Sequence, residues 1–402
     1  MADRHAWISA GAHPVAAGVY RIPLPLPTDG LRAVNVYAIE ADGGLVLIDS
    51  GWALARARGQ LEQSLAAIGA GLPDVRKFLV THLHRDHYTQ AIEIRRLFGT
   101  PVALGAEEKH SINRLVGPEY RPLGAQLTML DIAGAAHVGA ELMAGRTTGP
   151  PAGLPGGAGG QPGGAGGPAG GAGGPARLPD GATTLPDHPD LLPGATFAAA
   201  MGYETPDEWI AAGQEFDLGT RTLTAIPTPG HTRGHVVFAD AEAGLLFAGD
   251  HVLPHITPSL AFEECPPELP LREYLRSLAV VRELPDMRLL PAHGPVSPST
   301  HARVDELTEH HASRLAAMAE VLTGGLSSPD GHSAYEVAQA VPWTSRQRKL
   351  TDLDAMNQML AIGETVYHLD LLVAQSAAIS RTGDDGVRRY RPADPPGEEA
   401  TQ

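Results

Sequence analysis

Short apolar runs punctuated by turn residues fill the first hundred positions. Residues 18–50 read as strands broken by turns: Val34-Asn35-Val36-Tyr37-Ala38-Ile39 alternates in part, and Asp42-Gly43-Gly44 is a hairpin-type turn leading into Leu45-Val46-Leu47-Ile48. The second run is short, apolar and bounded by Asp49-Ser50-Gly51, which suits a buried strand. Residues 53–69 predict a helix with Leu54, Leu61, Leu65, Ala66 and Ile68 on one broad face. Lys77-Phe78-Leu79-Val80 reads as the next strand, and 89–98 as a helix stopped by Gly99 and Pro101. Strand and helix in alternation imply layered α/β packing.

Further along, 124–144 and 205–214 read as helical. Strands return at 222–226, in a hairpin formed by 235–238 and 245–248, and at 288–290. The pattern turns helical near residue 300. It predicts a helix at 304–322 ended by Gly324-Gly325, a short one opened by the capping box Ser333-Ala334-Tyr335-Glu336, and a third at 354–375. A hairpin at 377–379 and 387–391 closes the chain. Three helices and a hairpin outline a winged-helix-like module. The expected organisation is therefore one portion at 1–300 and a smaller helical one at 301–402. Between 149 and 176, 14 of 28 residues are glycine, in three near-identical sevens without a strict triplet period. That excludes a collagen helix and leaves no side chains for a core, so 149–177 is expected to be a flexible insert that can be deleted without loss of the fold.

Composition narrows the class. At 402 residues the chain has room for one large or two ordinary domains, and 43% apolar with 19% charged residues excludes wholesale disorder. The 47 glycines and 35 prolines argue for a loop-rich protein over an all-helical bundle. One cysteine, Cys265, excludes an internal disulfide and a thiolate-based metal site. The first 25 residues hold no continuous apolar run, and no stretch approaches the ~18 apolar residues of a membrane span, so a cytoplasmic protein without membrane contact is expected. The formal charge of −16 repels phosphate backbones, and no basic patch offsets it: 301–402 carries 9 Lys/Arg against 15 Asp/Glu. No nucleic-acid partner is expected. Homo-oligomerisation is left open.

The chemistry concentrates in Thr81-His82-Leu83-His84-Arg85-Asp86-His87, directly after a predicted strand. Three imidazoles and one carboxylate in six residues are the nitrogen and oxygen ligands that Zn²⁺ and its neighbours use. At this composition such a pattern arises by chance in roughly 0.004 chains. Three further strand ends each carry a donor beside a glycine: Gly230-His231, Gly249-Asp250 and His293-Gly294. Strand ends deliver side chains to one rim of a sheet, and glycine lets the turns approach closely.

Taken together and in this order, His82, His84, Asp86, His87, His231, Asp250 and His293 resemble the metal-binding motifs of the metallo-β-lactamase-fold hydrolase superfamily, and Asp49 in Ile48-Asp49-Ser50-Gly51 is similar to its first motif. The resemblance covers about residues 15–300. It implies a four-layer αββα sandwich with a dinuclear metal site at one edge. His82, His84 and His231 would hold one ion, Asp86, His87 and His293 the second, and Asp250 would bridge them. The ions are expected to be Zn, with Fe or Mn also compatible with His and Asp ligands. An aspartate at 250 is unlike the secreted antibiotic-hydrolysing branch and similar to the glyoxalase II-like, lactonase-like and lactamase-beta-like branches. One departure stands out: the family pattern continues Asp-His-x-Gly, whereas this chain has Asp86-His87-Tyr88-Thr89, which puts the local turn geometry in question. The segment after Asp250 and the helical C-terminal portion are similar to a bacterial subgroup with a winged-helix-like domain.

The function implied is a dinuclear metal-dependent hydrolase. A metal lowers the pKa of its water to ~7, and the resulting hydroxide attacks an ester, thioester or lactone carbonyl of a small molecule. Asp86 and Asp250 take the catalytic roles. Asp49 and His235 are expected to orient ligands from behind. Tyr88, His255 and Thr257 are the substrate-contacting candidates. No Ser/His/Asp or cysteine nucleophile is required. A nuclease of the same superfamily fits the metals but lacks a basic groove and the large insert expected after the bridging aspartate. A DNA-linked sensor is disfavoured by the acidic C-terminal portion, and a single-metal iron oxygenase by the complete ligand set.

Overall fold

The structure is a computed structural model and describes residues 6–27, 31–118, 120–148, 202–324, 330–344 and 346–393. The glycine-rich insert at 149–177 lies outside the described residues.

The first sheet carries β1 (His13–Ala16), β2 (Val19–Pro25), β3 (Ala33–Ala41), β4 (Gly44–Ile48), β5 (Val75–Val80), β6 (Val102–Gly105) and β7 (Glu208–Ile210), in that spatial order. Pairing is antiparallel from β1 to β4 and parallel from β4 to β7. The second sheet is ordered β12 (Arg288–Pro291), β11 (Leu245–Gly249), β10 (Val236–Asp240), β9 (Thr222–Pro227) and β8 (Glu215–Asp217).

Successive strand residues point to opposite faces, and both faces of each sheet are covered. In β4, Val46 and Ile48 face the second sheet while Leu45 and Leu47 face helices. In β11, Leu245 and Phe247 point inward and Leu246 and Ala248 outward. This is why these strands read as continuous apolar runs, with no clean alternation of polar residues. Against the outer face of the first sheet pack α1 (Ala55–Ala67) and α2 (Arg85–Phe98). Against the second sheet pack α6 (Pro270–Glu283) and the start of α7 (Thr300–Gly324), through Leu271, Tyr274, Leu278 and Val304. The expected four-layer αββα sandwich is what the chain forms.

A separate apolar core joins α4 (Gly124–Ile132) and α5 (Ala136–Thr148) to the later part of α7, α8 (Ala334–Ala340) and α9 (Ala355–Ala374). The segment between α2 and α4 carries α3 (Lys109–Val116). The strands β13 (His332–Ser333), β14 (Ala378–Thr382) and β15 (Arg388–Pro392) form a three-stranded antiparallel sheet beside this core. The Ser333/Glu336 capping box is present: Glu336 N donates to Ser333 Oγ at 3.2 Å and Ser333 N to Glu336 Oε2 at 2.8 Å.

Two expectations are corrected. Residues 205–214 are not helical: β7 pairs there in parallel with β6, and a turn at Gly213 (φ +71°) leads into β8. The sheet edge outweighs local helical propensity. The helix expected at 89–98 begins at Arg85, so the histidine motif runs into its first turn. Thr89, standing where the family pattern has glycine, lies inside that helix. Its hydroxyl donates to Arg85 O at 2.6 Å and accepts from Ala53 N at 3.0 Å, so the side chain ties the helix start to the loop after β4.

Candidate metal centre

Parallel strands deliver the site. β5 ends at Val80, and Thr81 and His82 continue it. His84 caps α2, and Asp86 and His87 occupy its first turn, where the helix dipole favours a carboxylate. His231 follows β9, Asp250 follows β11 and His293 follows β12. Glycine is required by geometry at two of these turns. A Cβ on Gly249 would lie 2.7 Å from His235 Nε2, and one on Gly230 would lie 2.6 Å from Tyr274 Cα, with φ at +50° and +140°.

The seven donors meet in two groups: His82, His84, His231 and Asp250 form one, and Asp86, His87 and His293 the other, with ligand atoms within 4.8 Å in each. His84 Nδ1 lies 3.0 Å from both His82 Nε2 and His231 Nε2. Asp250 faces both groups. Its Oδ2 is 3.5 Å from His231 Nε2, while its Oδ1 is 3.7 Å from His87 Nε2 and 3.4 Å from His293 Nε2. Asp86 Oδ2 lies 3.6 Å from His87 Nε2 and 3.5 Å from His293 Nε2.

Donors about 2.0–2.1 Å from a tetrahedral ion are separated from one another by roughly 3.3 Å. The spacings of 3.0 to 3.7 Å fit that requirement. His87 Nε2, His293 Nε2 and Asp250 Oδ1 are buried without a hydrogen-bond partner among the described residues. Three buried polar atoms that face one another without partners are costly unless a cation lies between them.

Three of the histidines are oriented from behind, which fixes the nitrogen each presents. His231 Nδ1 donates to Ser259 O at 2.6 Å, His293 Nδ1 to Ala33 O at 2.8 Å, and His87 Nδ1 to Asp49 Oδ2 at 2.9 Å. Asp49 also accepts from Thr81 N at 2.8 Å and Thr81 Oγ1 at 3.0 Å, and holds a left-handed backbone at φ +61° that aspartate tolerates. His235 is fully buried; Asp250 N donates to its Nε2 at 3.2 Å, and its Nδ1 pairs with Thr228 Oγ1 at 2.8 Å. It therefore supports the Asp250 turn and contributes to neither donor group. Burial, with neighbouring imidazoles adding to it, holds His84 down to about 3 and His82 and His235 well below the usual range, so these rings keep their lone pairs. Burial also pushes His87 down, but the carboxylates of Asp86, Asp49 and Asp250 outweigh it and raise the ring to about 10.

The β3 strand is bolted to the loop that carries His293. Asn35 Nδ2 donates to Pro291 O and Gly294 O, both at 2.9 Å, Asn35 N donates to Ala292 O at 2.6 Å, and Tyr37 Oη donates to Pro291 O at 2.8 Å.

A cavity of about 130 Å³ opens above the donors, with His84, Asp86, His231 and Asp250 in its floor. Trp52, Leu115, Tyr120, Tyr203 and Phe262 give it apolar and aromatic walls. Of the substrate-contacting candidates, Thr257 lines it. Tyr88 and His255 do not. Tyr88 sits on the inward face of α2, fully buried, with its hydroxyl donating to Glu204 O at 2.6 Å, and His255 is exposed. The sequence reading missed Glu108, Glu263 and Glu264, which also line the cavity. Glu108 follows the end of β6, the same position relative to a parallel strand that the other donors occupy. Recognising β6 in the sequence would have pointed to it.

The sequence model of the metallo-beta-lactamase superfamily matches residues 29–293. The chain belongs to this superfamily. Among curated relatives, it is 30% identical over 145 residues to a Beta-lactamase-like protein 2 homolog of Caenorhabditis elegans, covering 36% of this chain and 46% of that protein. It is 30% identical over 152 residues to the Lactamase-like protein nscB of Aspergillus fumigatus, covering 37% and 44%. The chain thus spans less than half the length of these relatives. Among solved structures, a metallo-beta-lactamase family protein from Thermus thermophilus superposes with a TM-score of 0.66 at 23% identity, over 94% of this chain and all of that one. A beta-lactamase domain protein from Burkholderia ambifaria gives 0.64 at 21% identity, over 96% of each chain. These two share the superfamily's fold over nearly the whole chain. No helix among the described residues is long and apolar enough to cross a membrane.

Proposed function

We propose that the protein is a dinuclear metal-dependent hydrolase that cleaves an ester, thioester or lactone bond of a small molecule. The observation that carries this reading is the pair of donor groups sharing Asp250, one carboxylate oxygen turned to each, beneath an aromatic cavity. His82, His84 and His231 would hold one ion and Asp86, His87 and His293 the other, with zinc favoured and iron or manganese compatible. Bound divalent ions supply an acidified water and a Lewis acid for the carbonyl.

The chain's own residues do the rest. Asp250 keeps the two groups in register. Asp86, in the cavity floor, accepts the proton of the attacking water at its carboxylate. Asp49 and His235 hold His87 and Asp250 in place. Trp52, Phe262 and Leu115 exclude bulk water from the bond under attack, and Thr257 contacts the substrate. The division at residue 300 and the winged-helix-like character of the C-terminal helices and sheet belong to this proposal, as does a soluble setting without nucleic acid. The net charge of −16 and the acidic cavity wall disfavour the nuclease reading.

The test is metal analysis of the purified protein paired with a panel of thioesters, lactones and phosphodiesters. Carbonyl substrates should be turned over with two equivalents of metal bound. Preferential phosphodiester cleavage would overturn the proposal. Asp86→Ala should abolish turnover while leaving the thermal transition in place.

A further inference from the structure

One wall of the cavity carries three carboxyl groups, two of which keep an unpaired oxygen. Glu108 is fully buried; its Oε1 accepts only from neutral donors, Thr232 Oγ1 and Leu83 N, and its Oε2 has no partner. Glu263, 4% exposed, is likewise satisfied by neutral groups: Ser111 Oγ at 2.6 Å, Arg233 N at 2.9 Å and Cys265 N at 2.9 Å. Glu264 accepts from Tyr120 Oη at 3.2 Å, its Oε2 is buried and unpartnered, and the nearest guanidinium, Arg114 Nε, is 4.0 Å away. A buried carboxyl oxygen without a donor is expensive, and two in one cavity wall need an explanation.

The same cavity presents the rings of Trp52, Tyr120, Tyr203 and Phe262. Carboxyl groups beside aromatic faces in an apolar pocket are the chemistry that recognises an organic cation. A cationic nitrogen in the cavity would offset the charge of this wall and lie against the rings. One other cation in the cavity, Arg85, is already engaged over Trp52 at 4.8 Å. Burial, reinforced by Glu263, raises Glu108 to about 8, and burial raises Glu264 to about 7, so a cation beside them is what would keep both ionised near neutral pH.

We infer that the cavity selects substrates bearing a protonated amine, which lies against the wall formed by Glu108 and Glu264. This rests on the proposed hydrolase reading for the carbonyl, but its test needs no turnover. Binding of n-hexylammonium, 1-hexanol and hexanoate to the metal-loaded protein is compared by isothermal titration calorimetry. The ammonium should bind at least ~10-fold more tightly than the alcohol, while hexanoate, whose carboxylate can coordinate the bound ions, measures the metals' own contribution. Glu264→Gln and Glu108→Gln should each remove most of that preference while leaving hexanol affinity within about 3-fold. Equal binding of ammonium and alcohol overturns the inference. So does an ammonium preference that survives both substitutions, which would mark direct coordination of the amine by a metal. The wild-type comparison stands alone if either variant fails to fold. A protein that hydrolyses acyl thioesters but shows no ammonium preference refutes this inference and leaves the hydrolase reading intact. One that prefers the ammonium and hydrolyses nothing does the reverse.

Discussion

Replacing Asp49 by asparagine changes one oxygen to an NH2 group at almost constant volume, yet should uncouple one of the two donor groups. In the wild type, Asp49 accepts from three donors: Thr81 N at 2.8 Å, Thr81 Oγ1 at 3.0 Å and His87 Nδ1 at 2.9 Å. A carboxamide has one acceptor oxygen to offer these groups. If that oxygen stays with Thr81, the NH2 meets His87 Nδ1 and drives the ring's proton to Nε2, the nitrogen that faces Asp86, Asp250 and His293. If the amide flips, its NH2 points at the backbone N–H of Thr81 and a buried donor is stranded. The first arrangement costs less, because the two neutral imidazole tautomers are close in energy. Loss of a supporting bond of this kind weakens a metal site by 10–100-fold, or about 1.4–2.7 kcal/mol. The assay is zinc titration of metal-free Asp49→Asn against a chromophoric chelator, resolving two stepwise constants, with thermal unfolding as the control. One constant should fall by that factor. The other, from His82, His84 and His231, should stay within about 3-fold. Two unchanged constants, or two equally weakened ones, would refute the reasoning.

Asp250→Asn should weaken both constants, because its two oxygens face different groups; a loss confined to one is the contrary result. Gly230→Ala places a Cβ 2.6 Å from Tyr274 Cα at φ +140° and should cost on the order of 2–4 kcal/mol in urea unfolding, with weaker metal binding through the adjacent His231. The acidic wall predicts a pH dependence of stability. Glu264 is raised from 4.5 to about 7 by burial, so its contribution is full below about pH 4.5 and is lost as pH rises through about 7. The stability difference between wild type and Glu264→Gln should therefore shift in favour of the variant by a few kcal/mol between pH 5.5 and 8.5, measured by urea unfolding. A flat difference contradicts it.

The donors were legible in the sequence because each stands at a strand end beside a turn, within short-range patterns that survive folding unchanged. His82, His84, Asp86 and His87 are local in the chain, and Gly230, Gly249 and Gly294 mark the turns that bring the distant donors close. The cavity walls were not legible. Tyr88 follows the histidine motif directly, but helical periodicity turns it into the core, and only the helix start at Arg85 reveals that. The supporting role of His235 was visible only as a glycine–histidine pair; its bond to Asp250 N depends on the register of β10 and β11. The strand at 208–210 reads as helix until β6 is present to pair with it.

The clasp between Asn35 and the backbone around His293 joins residues more than 250 positions apart in the chain. During synthesis, the motif at 82–87 leaves the ribosome with four donors ready while the rest are still unmade. The first sheet can gather its own strands, but the Asn35 NH2 group lacks both of its carbonyl acceptors until residues 291–294 emerge. Cation capture in full is thus a late event in assembly, and an incomplete chain offers any ion only a partial, open set of contacts.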